Sequence, residues 1–127
     1  MIFFVFMLTH GFITFLNFNL LYKIDKIEHF IAGILVAFVI YAFLKKYAPQ
    51  MIYGWIEKLF IVFATVAIGV FWEFFEFSYD ALINIPNNFP VNQLGNTDTM
   101  GDLLCDTIGA IVFILILFIL KPKSKLA

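Results

Sequence analysis

Arginine is absent from the 127 residues, and cysteine occurs once. All eight basic residues are lysines, set against nine acids for a net charge of -1. The chain therefore lacks the basic field that grips a phosphate backbone, and nucleic acid is excluded as a partner. The lone Cys105 has no cysteine to pair with inside the chain and belongs to no CxxC or zinc-knuckle pattern, so it reads as a packing residue. Charge of either sign is scarce, at 13% of residues, against 63% hydrophobic and 20% aromatic, with a mean hydropathy of +0.98. Soluble domains use apolar residues for roughly half of their length, so this balance excludes one and predicts a single all-α membrane domain over residues 1–127.

Four stretches are long enough to cross a hydrocarbon layer of about 30 Å at about 1.5 Å per residue. They run over residues 2–22, 27–47, 56–79 and 99–120, which predicts a bundle of four transmembrane helices. The first, MIFFVFMLTHGFITFLNFNLLY, has no basic leader and no small-x-small cleavage site, and reads as a retained helix rather than a signal peptide. A short link, YKIDK, joins it to the second; Lys45, Lys46, Pro49, Gln50 and Gly54 mark the next turn. The third connection, ALINIPNNFPVNQLGNT, carries Pro86, Pro90 and Gly95 and reads as a long irregular loop.

Lysines accumulate in cytoplasmic loops, and that rule orients the bundle. Lys45, Lys46, Lys58, Lys121, Lys123 and Lys125 fall on the side of the termini, and only Lys23 and Lys26 on the other. Both termini are expected in the cytoplasm of a cell holding the chain in its plasma or inner membrane, with Trp55 and Trp72 in the two interfacial belts.

In that topology Asp25, Glu28, Glu73, Glu76, Asp80, Asp98, Asp102 and Asp106 all approach the outer face, and only Glu57 lies at the inner end. Helical spacing puts Asp25, Glu28 and His29 on one face, Glu73, Glu76 and Asp80 on another, and Asp98, Asp102 and Asp106 on a third. His10, Thr14 and Asn17 form a weaker polar stripe on the first helix. Capping explains part of this: Asp25 with Glu28, and Thr99 with Asp102, fit capping boxes, and Asp80 reads as a solvated helix end. Capping does not explain Glu73, Glu76 and Asp106, which lie inside their spans. Each ionised acid there costs roughly 2.5–3.5 kcal/mol unless it is paired, solvated or neutralised by a cation. A metal set of Asp25, His29, Glu73, Glu76, Asp98, Asp102 and Asp106 is therefore expected near the outer leaflet, with His29, Glu73 and Glu76 as candidate catalytic groups. Lys23 and Lys26 read as interface anchors or as ligands for a substrate phosphate. Oxygen-rich donors suit Mg²⁺, Mn²⁺ or Ca²⁺, and a histidine among them also suits Zn²⁺.

At these residues the sequence resembles the VanZ-like membrane proteins, and more closely the bacterial inner-membrane proteins of the YjdF kind. DKIEHF with Gly33, WEFFEF, and LGNTDTMGDLLCDTIGA occur in that order from Asp25 to Ala110. The resemblance points to Asp25, His29, Glu73, Glu76, Asp98, Asp102 and Gly109, and implies a lipid-linked role at the outer leaflet. The chain departs from the pattern with Glu76 in place of Gln, Asp106 in place of Asn, and no arginine before the last helix, which makes its site more acidic.

Three functions are compatible with these residues. One is a metal-dependent hydrolase or transferase acting on a lipid head group or lipid-linked phosphate, with membrane lipids as partners. Another is a cation-binding or transport protein, against which stand the apolar inner halves VAFVIYAF and IVFILILF. The third is a structural or assembly subunit whose acids meet a partner helix; self-association is left open.

Overall fold

Nothing in YKIDK stops a helix, since it holds neither glycine nor proline, and one does run straight through it. The computed structural model describes residues 18–49 and 54–120, with side chains from Ile24 onward. Helix α1 (Phe18–Tyr47) ends just before Pro49, with Lys45 and Lys46 in the last turn where their charge suits the helix dipole. Helix α2 (Trp55–Tyr79) begins after Gly54, whose φ of 68° favours glycine. Helix α3 (Asn96–Leu120) begins after Gly95, at φ 105°.

Three sequence expectations need correction. The link between the first two spans does not exist at 22–27: residues 18–22 belong to α1, while residues 1–17 lie outside the described residues. The third connection is half helical, because α2 continues through a π-helical turn (Asp80–Asn84) and a 3-10 turn (Ile85–Asn87) before Asn88 breaks it in the left-handed region. The last helix starts at Asn96 rather than Thr99, one turn after Asn92.

Among the described residues the chain is all-helical, and three helical stretches are long and apolar enough to cross a membrane: Ile24–Tyr47, Trp55–Asn87 and Asn96–Leu120. Their side chains are distributed inside out relative to a soluble fold. Ten polar side chains are buried against five hydrophobic ones, while Phe63, Phe71 and Ile119 stand exposed. The apolar core, Ala37, Leu44, Ile61, Ala110 and Phe113, lies toward the end of the bundle holding Tyr47 and Trp55, with Phe38 and Tyr41 edge-on to Phe113.

Helix α3 packs against both α1 and α2, most extensively against α1. Small residues make that crossing close. A Cβ on Gly33 would overlap the backbone of Asp106, and one on Gly109 would overlap the carbonyl of Phe30. Backbone contact at this point fixes the rotation of α3 and turns Asp102 and Asp106 toward α1.

Candidate functional site

Because α1 runs through YKIDK, Asp25 and Lys26 sit in a helix interior, and the expected Asp25–Glu28 capping box does not form. Their side chains serve the interior instead. Lys26 Nζ donates to Asp98 Oδ1 and to Asp102 Oδ1, each at 2.6 Å, and to the Asp98 carbonyl at 3.1 Å. Asp25 Oδ2 lies 3.4 Å from the same ammonium. Lys26 is thus engaged by carboxylates, which argues against its expected role in holding phosphate; the side chain of Lys23 lies outside the described residues.

Asp98 reaches back to the loop that precedes its helix. It lies in the first turn of α3, and its Oδ2 accepts the Leu94 N–H at 3.0 Å. The proposed Thr99–Asp102 box fails because α3 has already begun three residues earlier. Asp102 points inward, among the most deeply buried side chains of the described residues.

His29 is the hub. Its Nδ1 lies 3.4 Å from Asp106 Oδ2. Its Nε2 faces three carboxylate oxygens from three different positions: Asp102 Oδ1 at 3.8 Å, Asp25 Oδ1 at 3.9 Å and Glu73 Oε1 at 3.9 Å. One donor atom each from Asp25, His29 and Asp102 fall within 4.8 Å of one another. Glu73 approaches from α2, with its Oε2 accepting Gln93 Nε2–H at 2.9 Å. Its Oε1 is buried and has no hydrogen-bond partner. A buried carboxylate oxygen left in that state is costly, and it is aimed at the histidine.

A glycine helps to hold this geometry. A Cβ at Gly69 of α2 would collide with Asp106 Oδ2, so only glycine leaves space for the carboxylate that contacts His29.

The structure does not bring every expected ligand together. Glu76 is buried, its Oε1 accepts Trp72 Nε1–H at 2.9 Å, and it lines a cavity between α1 and α2 together with Asp25, Glu28 and His29. Asp80, expected as a solvated helix end, is buried instead. Its carboxylate accepts the backbone N–H of Asn92 and Gln93 at 2.9 Å, and the amides of Asn84 and Asn92 at 2.6 and 3.1 Å. Asp80 therefore ties the loop before α3 to the end of α2.

Sequence reasoning missed Gln93. Its amide donates to the Glu73 carbonyl at 3.1 Å and carboxylate, and to Thr99 Oγ1 at 3.2 Å, joining the loop to α2 and α3. No periodicity marks a loop residue, and its only signal was its place directly before the LGNT motif.

No curated protein and no solved structure matches the chain. A family model does, over residues 1–123, and its description is "Predicted membrane protein (DUF2238)".

Proposed function

The chain belongs to that family of membrane proteins, and from this premise we propose that it binds a divalent cation between Asp25, His29, Glu73 and Asp102. The observation that carries the reading is the group of Asp25, His29 and Asp102, whose donor atoms lie within 4.8 Å of one another, with a buried Glu73 oxygen 3.9 Å from His29 Nε2 that has no hydrogen-bond partner. Separations of 3.8–3.9 Å from His29 Nε2 are too long for hydrogen bonds. They suit donors that share an ion, because metal–donor bonds of about 2.0–2.6 Å set neighbouring ligands about 3–4 Å apart.

Asp106 fits the role of a supporting carboxylate. Accepting the hydrogen bond of Nδ1–H would leave the Nε2 lone pair to the ion, the arrangement that orients most histidine ligands. Lys26 offsets part of the charge of Asp98 and Asp102. One nitrogen among carboxylate oxygens favours Zn²⁺ or Mn²⁺ over Ca²⁺.

The resemblance to VanZ-like and YjdF-type proteins supports a further step, a lipid-linked reaction at the outer leaflet. What favours it is that the residues of all three motifs meet at His29: Asp25 from the first, Glu73 from the second, and Asp102 and Asp106 from the third. The lysine distribution supports a plasma-membrane orientation with both termini cytoplasmic, residues 2–17 supplying a fourth apolar segment.

Elemental analysis of the purified chain tests the cation reading. The expected result is one divalent ion per chain, by purification or by titration with Zn²⁺, Mn²⁺ or Mg²⁺, and at least tenfold weaker binding in Glu73→Gln and Asp102→Asn. A folded protein that takes up none of these ions at millimolar concentration would overturn it.

A further inference from the structure

Glu73 turns one oxygen toward His29 and leaves the other in the hold of a loop residue. Its Oε2 accepts the amide N–H of Gln93 at 2.9 Å, while Oε1, buried and without a hydrogen-bond partner, stands 3.9 Å from His29 Nε2. Chemistry fixes the direction of the amide. The Gln93 nitrogen faces the Glu73 carbonyl at 3.1 Å as well as the carboxylate, and both groups only accept while the acid is ionised, so a flipped amide would set oxygen against oxygen. A third contact, to Thr99 Oγ1 at 3.2 Å, and the bond from the Gln93 backbone N–H to Asp80 Oδ2 at 2.9 Å hold the residue between α2 and the start of α3.

We propose that Gln93 sets the ion selectivity of the site, a role that rests on the cation reading and adds to it. By holding one oxygen of Glu73 it makes that ligand monodentate, which favours a small four-coordinate ion of the Zn²⁺ class over Ca²⁺. Gln93 is itself no ligand, because the end of the amide turned toward Glu73 is a donor with no lone pair to give; it is a positioning residue.

A count of donors carries the selectivity. Asp25 Oδ1, Glu73 Oε1 and Asp102 Oδ1, together with His29 Nε2, make four. Two of these carboxylates have the second oxygen engaged elsewhere, Glu73 Oε2 by Gln93 and Asp25 Oδ2 beside Lys26 Nζ at 3.4 Å. Four donors complete the tetrahedral shell of Zn²⁺. Ca²⁺ takes about six to eight oxygens, and carboxylates that bind through both atoms help to supply them. Releasing Oε2 therefore adds a donor that Ca²⁺ can use, and it lets Glu73 swing from the aim that suits the smaller ion.

Two substitutions separate the amide from its effect. Gln93→Met keeps the length of the side chain and removes the amide; Gln93→Asn keeps the amide one methylene short of Glu73, and answers the same question should the methionine variant not fold. Calorimetric titration of the full chain in detergent with Zn²⁺, and separately with Ca²⁺, gives the ratio of the two affinities, while circular dichroism reports the helices. Loss of a group that orients a ligand weakens metal binding by about 10–100-fold, and here that loss falls on Zn²⁺ and spares Ca²⁺. The expected result is a preference for Zn²⁺ that drops by about tenfold or more in the folded variants. A ratio that stays at the wild-type value, with both affinities kept or both reduced alike, would overturn the role of Gln93 and leave the cation site standing. Wild-type protein that takes up neither ion would remove the cation reading, and the selectivity with it.

Discussion

Replacing Lys26 by methionine should weaken the fold and strengthen cation binding at the same time. The ammonium is 2.6 Å from Asp98 Oδ1 and 2.6 Å from Asp102 Oδ1, and its side chain is 17% exposed. Removing one partner of a buried ion pair costs about 3–5 kcal/mol, and the partial exposure places Lys26→Met near about 3 kcal/mol. The effect on the ion has the opposite sign. An ion bound about 2.1 Å from Asp102 Oδ1 is at most about 4.7 Å from Nζ, since Nζ is 2.6 Å from that oxygen. A charge of +2 and a charge of +1 at that separation repel by about 2 kcal/mol even in water, and by about 7 kcal/mol at an effective dielectric of 20. Divalent affinity in Lys26→Met should therefore rise at least tenfold, and saturating ion at about 100 Kd should restore about 2.7 kcal/mol of the lost stability. Denaturant unfolding in detergent, with and without ion, and titration calorimetry measure both quantities. Unchanged or weaker affinity in a folded Lys26→Met protein would refute the electrostatic argument, and with it the position assigned to the ion.

Gly69→Ala should displace the Asp106 carboxylate and weaken divalent binding about 10–100-fold, as loss of a supporting carboxylate does, while circular dichroism shows the helices intact. Asp106→Asn should reproduce that loss in the same titration. Asp80→Ala should release the amides of Asn92 and Gln93, seen as faster hydrogen exchange there with the core of α3 still protected. Gly109→Leu should separate α1 from α3 and destabilise the protein by about 1–3 kcal/mol or more, read as a lower detergent-unfolding midpoint.

The third expected span comes close to the observed helix because its apolar length is unambiguous, and 56–79 differs from Trp55–Tyr79 by a single residue, whereas 27–47 shares the end of Phe18–Tyr47 and misses its first nine residues. The convergence of His29, Glu73 and Asp102 was also legible, since spacing fixes a face once helices are antiparallel. Boundaries set by weak local signals were not. Lysine and aspartate in YKIDK resemble a loop in composition, but their helix propensities are adequate and tertiary contact decides. Asp80 was misread for a related reason: a carboxylate at a helix end is solvated only if no loop folds back on it, and the contact comes from Asn92 and Gln93, twelve and thirteen residues away. Glu76 shows how far spacing reaches. It shares a stripe with Glu73, yet its Oε1 is engaged by Trp72, one turn back on the same helix, a contact that spacing toward the other helices does not show.

The uninterrupted α1 has a consequence for how an ion would come and go. Asp25 lies 22 residues from Tyr47, about 33 Å along the axis, whereas the hydrocarbon layer is about 30 Å thick. With Tyr47 anchored at one boundary, Asp25 reaches the hydrated head-group zone at the other, and His29, about 27 Å along the axis, lies just beneath it. An ion held there would exchange with the aqueous phase on that side without a corridor through the greasy half of the protein, and its occupancy would follow the free ion concentration of a single compartment.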